Sequence, residues 1–147
     1  MKQISLSPEQ TKCFGEKLAK EAKPNSKARV YCLRGELGAG KTCFLQGFGK
    51  GLNIKEKIQS PTFIIMSRFP LRNQKFNNFY HLDCYRIEEP EEILKLDFEE
   101  IINNPQNIVA IEWPEKIEQF LPKERTDIVL KILDENKREI NIKNYKK

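Results

Sequence analysis

Gly35-Glu36-Leu37-Gly38-Ala39-Gly40-Lys41-Thr42 lies between Arg29-Val30-Tyr31-Cys32-Leu33-Arg34 and Cys43-Phe44-Leu45-Gln46-Gly47-Phe48-Gly49-Lys50. The octet satisfies G-x-x-x-x-G-K-[ST]. Its flanks read as a buried strand before it and a helix after it, the setting in which this pattern is a phosphate-binding loop. Glycines let the main chain wrap an anion, and successive N–H groups point inward at a helix N-terminus whose dipole favours negative charge. In such a loop Leu37, Gly38, Ala39 and Gly40 cradle phosphates. Lys41 reaches the β- and γ-phosphates, and the Thr42 hydroxyl ligates Mg²⁺. The stretch therefore predicts a nucleoside triphosphate site on an α/β fold.

The rest of the composition is compatible with that reading. At 147 residues the chain has room for one sheet-based core, and we expect residues 1–147 to form a single domain with a basic tail at Lys143–Lys147. Hydrophobic residues make up 39% and charged residues 32%, a soluble balance, and no stretch approaches a membrane span. Met1-Lys2-Gln3-Ile4-Ser5-Leu6 lacks the apolar core of a secretory signal, so the expected setting is cytoplasmic, with no membrane partner. Cys13, Cys32, Cys43 and Cys84 show no metal-ligand spacing and read as reduced thiols. Cys43 adjoins the loop at a helix N-terminus, a position where a thiol can be acidified. The formal charge of +5 is compatible with nucleic acid, but the scattered surplus, much of it in tails, reads first as solvated basic surface.

Periodicity and turn signals give the order of elements. Ser7 caps a helix with Pro8 in its first turn and Gln10 completing a capping box; Phe14, Leu18 and Ala22 recur along it until Pro24-Asn25. After the loop helix, closed by Gly51-Leu52-Asn53, a turn at Ser60-Pro61-Thr62 leads to two strand-like runs, 63–69 and 76–82. The short link between them implies antiparallel pairing. Residues 91–102 read as a helix, Ile108–Ile111 as a central strand, Glu115–Leu121 as a short helix, and 126–133 with 138–143 as a final strand pair. The expected fold class is α/β, a P-loop-type domain with a mixed, partly antiparallel sheet flanked by helices.

A phosphate loop needs an acid on the metal side and a group that orients the attacking oxygen. Glu112 follows the apolar strand directly, so its carboxylate emerges at the strand's C-terminal end, where open α/β sheets bind ligands. Glu112 is the candidate for the metal, against the plainer role of a surface acid at a strand end. Asp83, just beyond the run 76–82, is the candidate for positioning water, against the plainer role of a turn residue capping its own backbone. Thr62 is a candidate switch residue on the γ-phosphate side, or a simple proline turn. Trp113 reads as core packing or an interface anchor, and His81 as a satisfied strand histidine.

Taken together, GELGAGKT, Ser60-Pro61-Thr62-Phe63, Tyr80-His81-Leu82-Asp83-Cys84-Tyr85-Arg86 and Ile111-Glu112-Trp113-Pro114-Glu115-Lys116 resemble the bacterial TsaE/YjeE ATPases over residues 7 to about 140. The resemblance implies weak ATP hydrolysis with Mg²⁺. It also implies a role in tRNA threonylcarbamoyladenosine formation at adenosine 37 of ANN-decoding tRNAs. The implied partners are an ASKHA-fold threonylcarbamoyl transferase subunit and its paralogue, with tRNA contacted indirectly. It further implies Thr42 and Glu112 at the Mg²⁺, Lys41 and Asp83 in catalysis, Thr11 near the adenine, and an approach of Arg138 to the nucleotide. Cys84 stands where the family more often has Leu. Two other classes remain open on the residues alone. One is a small-molecule kinase, although Arg68, Arg72, Arg86, Arg125 and Arg138 form no clustered lid segment. The other is a nucleotide-gated assembly module in which binding matters more than turnover.

Overall fold

A computed structural model describes residues 1–58, 65–72 and 75–146. Strands β1 (Lys2–Ser5), β2 (Arg29–Arg34), β3 (Met66–Pro70), β4 (Asn78–Asp83), β5 (Asn107–Glu112), β6 (Arg125–Ile132) and β7 (Arg138–Tyr145) form one sheet in the order β1-β7-β6-β2-β5-β4-β3. The four central strands, β6-β2-β5-β4, are parallel, and antiparallel strands close both edges. Every residue of β5 is buried, as a strand covered on both faces requires.

Side-chain alternation sends Tyr31, Leu33, Ile108, Ala110 and Ile128 to one face, against helices α1 (Pro8–Glu21) and α2 (Lys41–Gly51). Val30, Cys32, Val109 and Ile111 go to the other face, against a 3₁₀ helix at Pro90–Leu96, helix α3 (Phe98–Asn103) and a 3₁₀ helix at Pro114–Phe120. The mixed sheet and the antiparallel β3–β4 pair, with Met66 opposite Leu82 and Pro70 opposite Asn78, match the sequence reading.

Three local features differ from it. Strand β1 pairs with β7 at the far end of the chain, and its four residues carry no periodicity strong enough to announce it. The stretch read as one helix over 91–102 is broken at Asp97, which sits in the left-handed region at φ 59°. In a continuous helix Ile93 and Phe98 would lie roughly 140° apart at 100° per residue; the break lets both bury on the same side of the sheet. At the start of α1, Ser7 Oγ accepts from Gln10 N–H at 3.1 Å as expected, but Gln10 Oε1 reaches back to the N–H of Leu6, one residue before the cap.

Glycine allows α1 and α2 to pack backbone to backbone. A Cβ on Gly47 would overlap the Lys12 carbonyl, and one on Gly51 would stand 2.5 Å from the Glu16 carbonyl oxygen. Glycine inside a helix costs roughly 1 kcal/mol relative to alanine, so Gly47 is tolerated for the close approach it permits. Gly47→Ala is therefore expected to destabilise the fold by about 1–3 kcal/mol despite its better helix propensity, read as a lower urea midpoint with an unchanged slope.

Candidate functional site

The loop after β2 turns tightly. Gly35, Gly38 and Gly40 have φ of 158°, 83° and 100°, and Ala39 N–H donates to Glu36 O at 3.0 Å. The two glycines at 83° and 100° lie in the left-handed region that side chains avoid. Around Gly38 a Cβ would meet nothing within 4 Å, so the mouth of the loop is open. Gly40 is the N-cap of α2, and Lys41 and Thr42 are its first residues; the helix thus begins inside the motif, two residues earlier than its apolar pattern indicated. Leu37 is 70% exposed, which leaves its main chain as the part available to a ligand; Ala39 is fully buried.

Lys41 is folded back. Its Nζ donates to Gly35 O at 2.6 Å and lies 3.6 Å from the centre of the Trp113 ring. Burial lowers the ammonium's affinity for its proton, while the Glu112, Glu115 and Asp83 carboxylates act in the opposite sense. Trp113, read from the sequence as core packing or an interface anchor, does pack against the core and also carries the loop lysine on its ring. It adopts φ 56° directly after β5, and its ring also meets Tyr85 at 5.0 Å between centroids.

Pairing of the parallel strands places the two acids. Leu33, the penultimate residue of β2, is opposite Glu112 of β5, and Glu112 is opposite Asp83 of β4. All three lie at the C-terminal ends of adjacent strands, beside the loop. Glu112 is only 2% exposed, and its Oε2 lies 2.7 Å from His81 Nε2, also buried. With a proton on Nε2, the imidazole donates to the carboxylate and fixes its direction. His81, read from the sequence as a satisfied strand histidine, is satisfied at one ring nitrogen only: Nε2 supports Glu112, while Nδ1 is buried with no hydrogen-bond partner among the described residues. The available signal was its place two residues before Asp83, hence on the same face of the strand. Asp83 combines the two roles weighed for it: Oδ1 accepts from Tyr85 N–H at 3.0 Å, a turn bond, while the residue stands at the acid end of the site.

On the other flank of the loop, Arg138 Nη2 donates to Gly38 O at 3.1 Å and Nη1 to Asp134 O at 2.8 Å. A pocket of about 70 Å³ opens there between Thr11, Gly40, Cys43, Asn136 and Arg138. Thr11 is fixed by a 2.7 Å hydrogen bond between its Oγ1 and Ser5 Oγ. The structure therefore gathers Thr11, Leu37 to Thr42, Asp83 and Glu112 around one loop. Thr62, with its neighbours 59–64, lies outside the described residues.

The cysteine reading is corrected in one respect. Cys43 is not acidified: burial pushes its thiol up, and Sγ donates to Pro8 O at 3.2 Å. Burial likewise pushes the Cys84 thiol up to about 12, so Cys84 fills the core position much as an apolar residue would.

The chain matches the model of the family described as "Threonylcarbamoyl adenosine biosynthesis protein TsaE" over residues 5–140. A Bacillus subtilis protein named tRNA threonylcarbamoyladenosine biosynthesis protein TsaE is 41% identical over 143 residues, covering 95% of this chain and 85% of its own. The protein of the same name from Rickettsia typhi is 42% identical, covering 93% and 90%. A crystal structure of YdiB from Bacillus subtilis superposes with a TM-score of 0.75 at 33% identity, covering 99% of this chain and 86% of that one.

Two outcomes test the site. Removing the imidazole in His81→Ala takes away the 2.7 Å partner of the buried Glu112 carboxylate and should lower stability by about 1.5–3 kcal/mol, measured by denaturant unfolding. In the folded protein, iodoacetamide at pH 8 should alkylate exposed Cys13 well before Cys43, with mass-mapped rates giving the order.

Proposed function

The chain belongs to the TsaE family, and on that premise we propose that it is a Mg²⁺-dependent ATPase serving tRNA threonylcarbamoyladenosine biosynthesis. The register that brings the phosphate loop, Glu112 and Asp83 to the ends of adjacent parallel strands carries this reading. A triphosphate needs a backbone cradle, a cation and an acid pair within one small volume, and this edge of the sheet supplies all three.

The donor set suits Mg²⁺, since the Thr42 hydroxyl and the Glu112 carboxylate are the hard oxygen ligands this ion takes. Bound there with ATP, the ion would neutralise charge on the β- and γ-phosphates. The remaining work falls to the chain. The N–H groups of residues 37–42 receive phosphate oxygens at the start of α2. Lys41 exchanges the Gly35 carbonyl and the Trp113 ring for the phosphates, a stronger partner for an ammonium. His81 keeps the Glu112 carboxylate aimed, and Asp83 orients the attacking water. Thr11 and Arg138 border the small pocket that suits the nucleoside side.

In this reading the chain works in the cytoplasm with an ASKHA-fold threonylcarbamoyl transferase subunit and its paralogue, which meet tRNA at adenosine 37. No helix among the described residues is long and apolar enough to cross a membrane. Lys41→Ala removes a charge-assisted contact of about 1.5–3 kcal/mol and should weaken ATP binding roughly 10- to 150-fold by calorimetry. Glu112→Ala should flatten the Mg²⁺ dependence of nucleotide binding. Coincident Mg²⁺ titrations of mutant and wild type would remove Glu112 from the metal. An ATPase assay with and without the partner complex and tRNA tests the whole assignment, with stimulation by the complex expected.

A further inference from the structure

The opposite end of the sheet has a different character. Segments 23–29, 123–125 and 143–146 are far apart in sequence and together hold seven Lys and Arg against one acid, Glu124. They converge because β6 pairs with both β2 and β7: Tyr31 is opposite Thr126, and Arg125 is opposite Tyr145. Where β2 begins ahead of β6, a cleft of about 550 Å³ opens, bordered by Arg29, Arg125, Asn144, Tyr145 and Lys146. The six residues of β2, roughly 20 Å of strand, separate it from the phosphate loop.

The cleft is built rather than merely basic. Arg125 is held by Asp127 Oδ1 at 3.0 Å and Pro122 O at 3.1 Å, with its guanidinium 4.8 Å above the Tyr145 ring. Thr126 Oγ1 donates to Asn144 Oδ1 at 2.7 Å and Asn25 Nδ2 to Glu124 Oε1 at 2.5 Å, so both nearby acids, Glu124 and the Arg125-bound Asp127, are already engaged. Lys23, Lys27, Lys123, Lys143 and Lys146 are exposed on the same three segments, and Lys146 lines the cleft itself. A fixed Arg125 guanidinium, amides and an aromatic ring, with exposed ammonium groups on the neighbouring segments, suit a polyanion carrying planar bases better than an isolated small anion.

We propose that this basal cleft binds the phosphodiester backbone of RNA directly. The inference goes beyond the proposed function, in which tRNA is met through the partner subunits, and rests on it only for the choice of RNA. With the loop at one pole and the cleft at the other, the chain can hold RNA and triphosphate at once.

Fluorescence anisotropy of the full chain with a labelled tRNA transcript, in the absence of nucleotide and over a range of salt, tests this. Arg29→Ala/Lys146→Ala should weaken binding by roughly tenfold or more and reduce the salt slope by about two. Lys17→Ala/Lys95→Ala, which removes equal charge elsewhere, should leave the slope near that of the wild type. Lys146→Ala alone, at an exposed position, should lower the slope by about one without risk to the fold. Equal effects of the two double variants would overturn the proposal, as would no RNA affinity together with tight binding of polyglutamate. ATP binding is measured separately on each variant: its absence from the wild type would defeat the proposed function while leaving a basal effect on RNA intact.

Discussion

Parallel pairing of β2, β5 and β4 sets the level at which their C-terminal ends leave the sheet. Backbone hydrogen bonds place Leu33, Glu112 and Asp83 side by side, and the side-chain period of two then fixes which of their neighbours share a face. A slip of one residue in β5 would turn Glu112 away from His81 and exchange the side chains that this buried strand packs against the layers on its two faces. The apolar core therefore enforces the geometry of the polar site. Both depend on the same register.

Around that edge the polar groups hold one another. Lys41 rests on the Gly35 carbonyl and the Trp113 ring, Glu112 on His81, Asp83 on the turn at Tyr85, and Arg138 on Gly38. The Lys41 and Glu112 contacts satisfy groups that would otherwise be costly where water is scarce, while those of Asp83 and Arg138 lie at exposed positions. Each is also one that an anion or cation of suitable chemistry can replace or exploit. The two faces of the sheet divide the remaining labour. Helices α1 and α2 approach closely through glycine and brace the loop helix, while the short helical turns on the other face seal the strands that carry the acids.

Much of this was legible in the chain. The glycine loop, its strand and helix, the apolar run ending in Glu112, the β3–β4 and β6–β7 pairs and the candidacy of Asp83 all rest on local signals, whereas Thr11 and Arg138 were candidates only through the family resemblance. Steric permissiveness, side-chain period and turn chemistry act within a few residues, so a sequence records them directly. Strand β1 was missed because four half-exposed edge residues carry little pattern. The single helix over 91–102 failed at Asp97, where burial of both Ile93 and Phe98 outweighed helical continuity.

The sequence by itself determined the loop chemistry, the α/β class and the presence of acids at strand ends. Only the tertiary structure decided that Trp113 lies under Lys41, that His81 supports Glu112, that Cys43 is shielded rather than acidified, and that three basic segments make one cleft. Those contacts join residues far apart in the chain, His81 with Glu112 across 31 positions and Lys41 with Trp113 across 72. Most of them depend on strand order and register, which are properties of the packed sheet. No local preference of the chain encodes which strand will lie beside which; burial of the whole set chooses it.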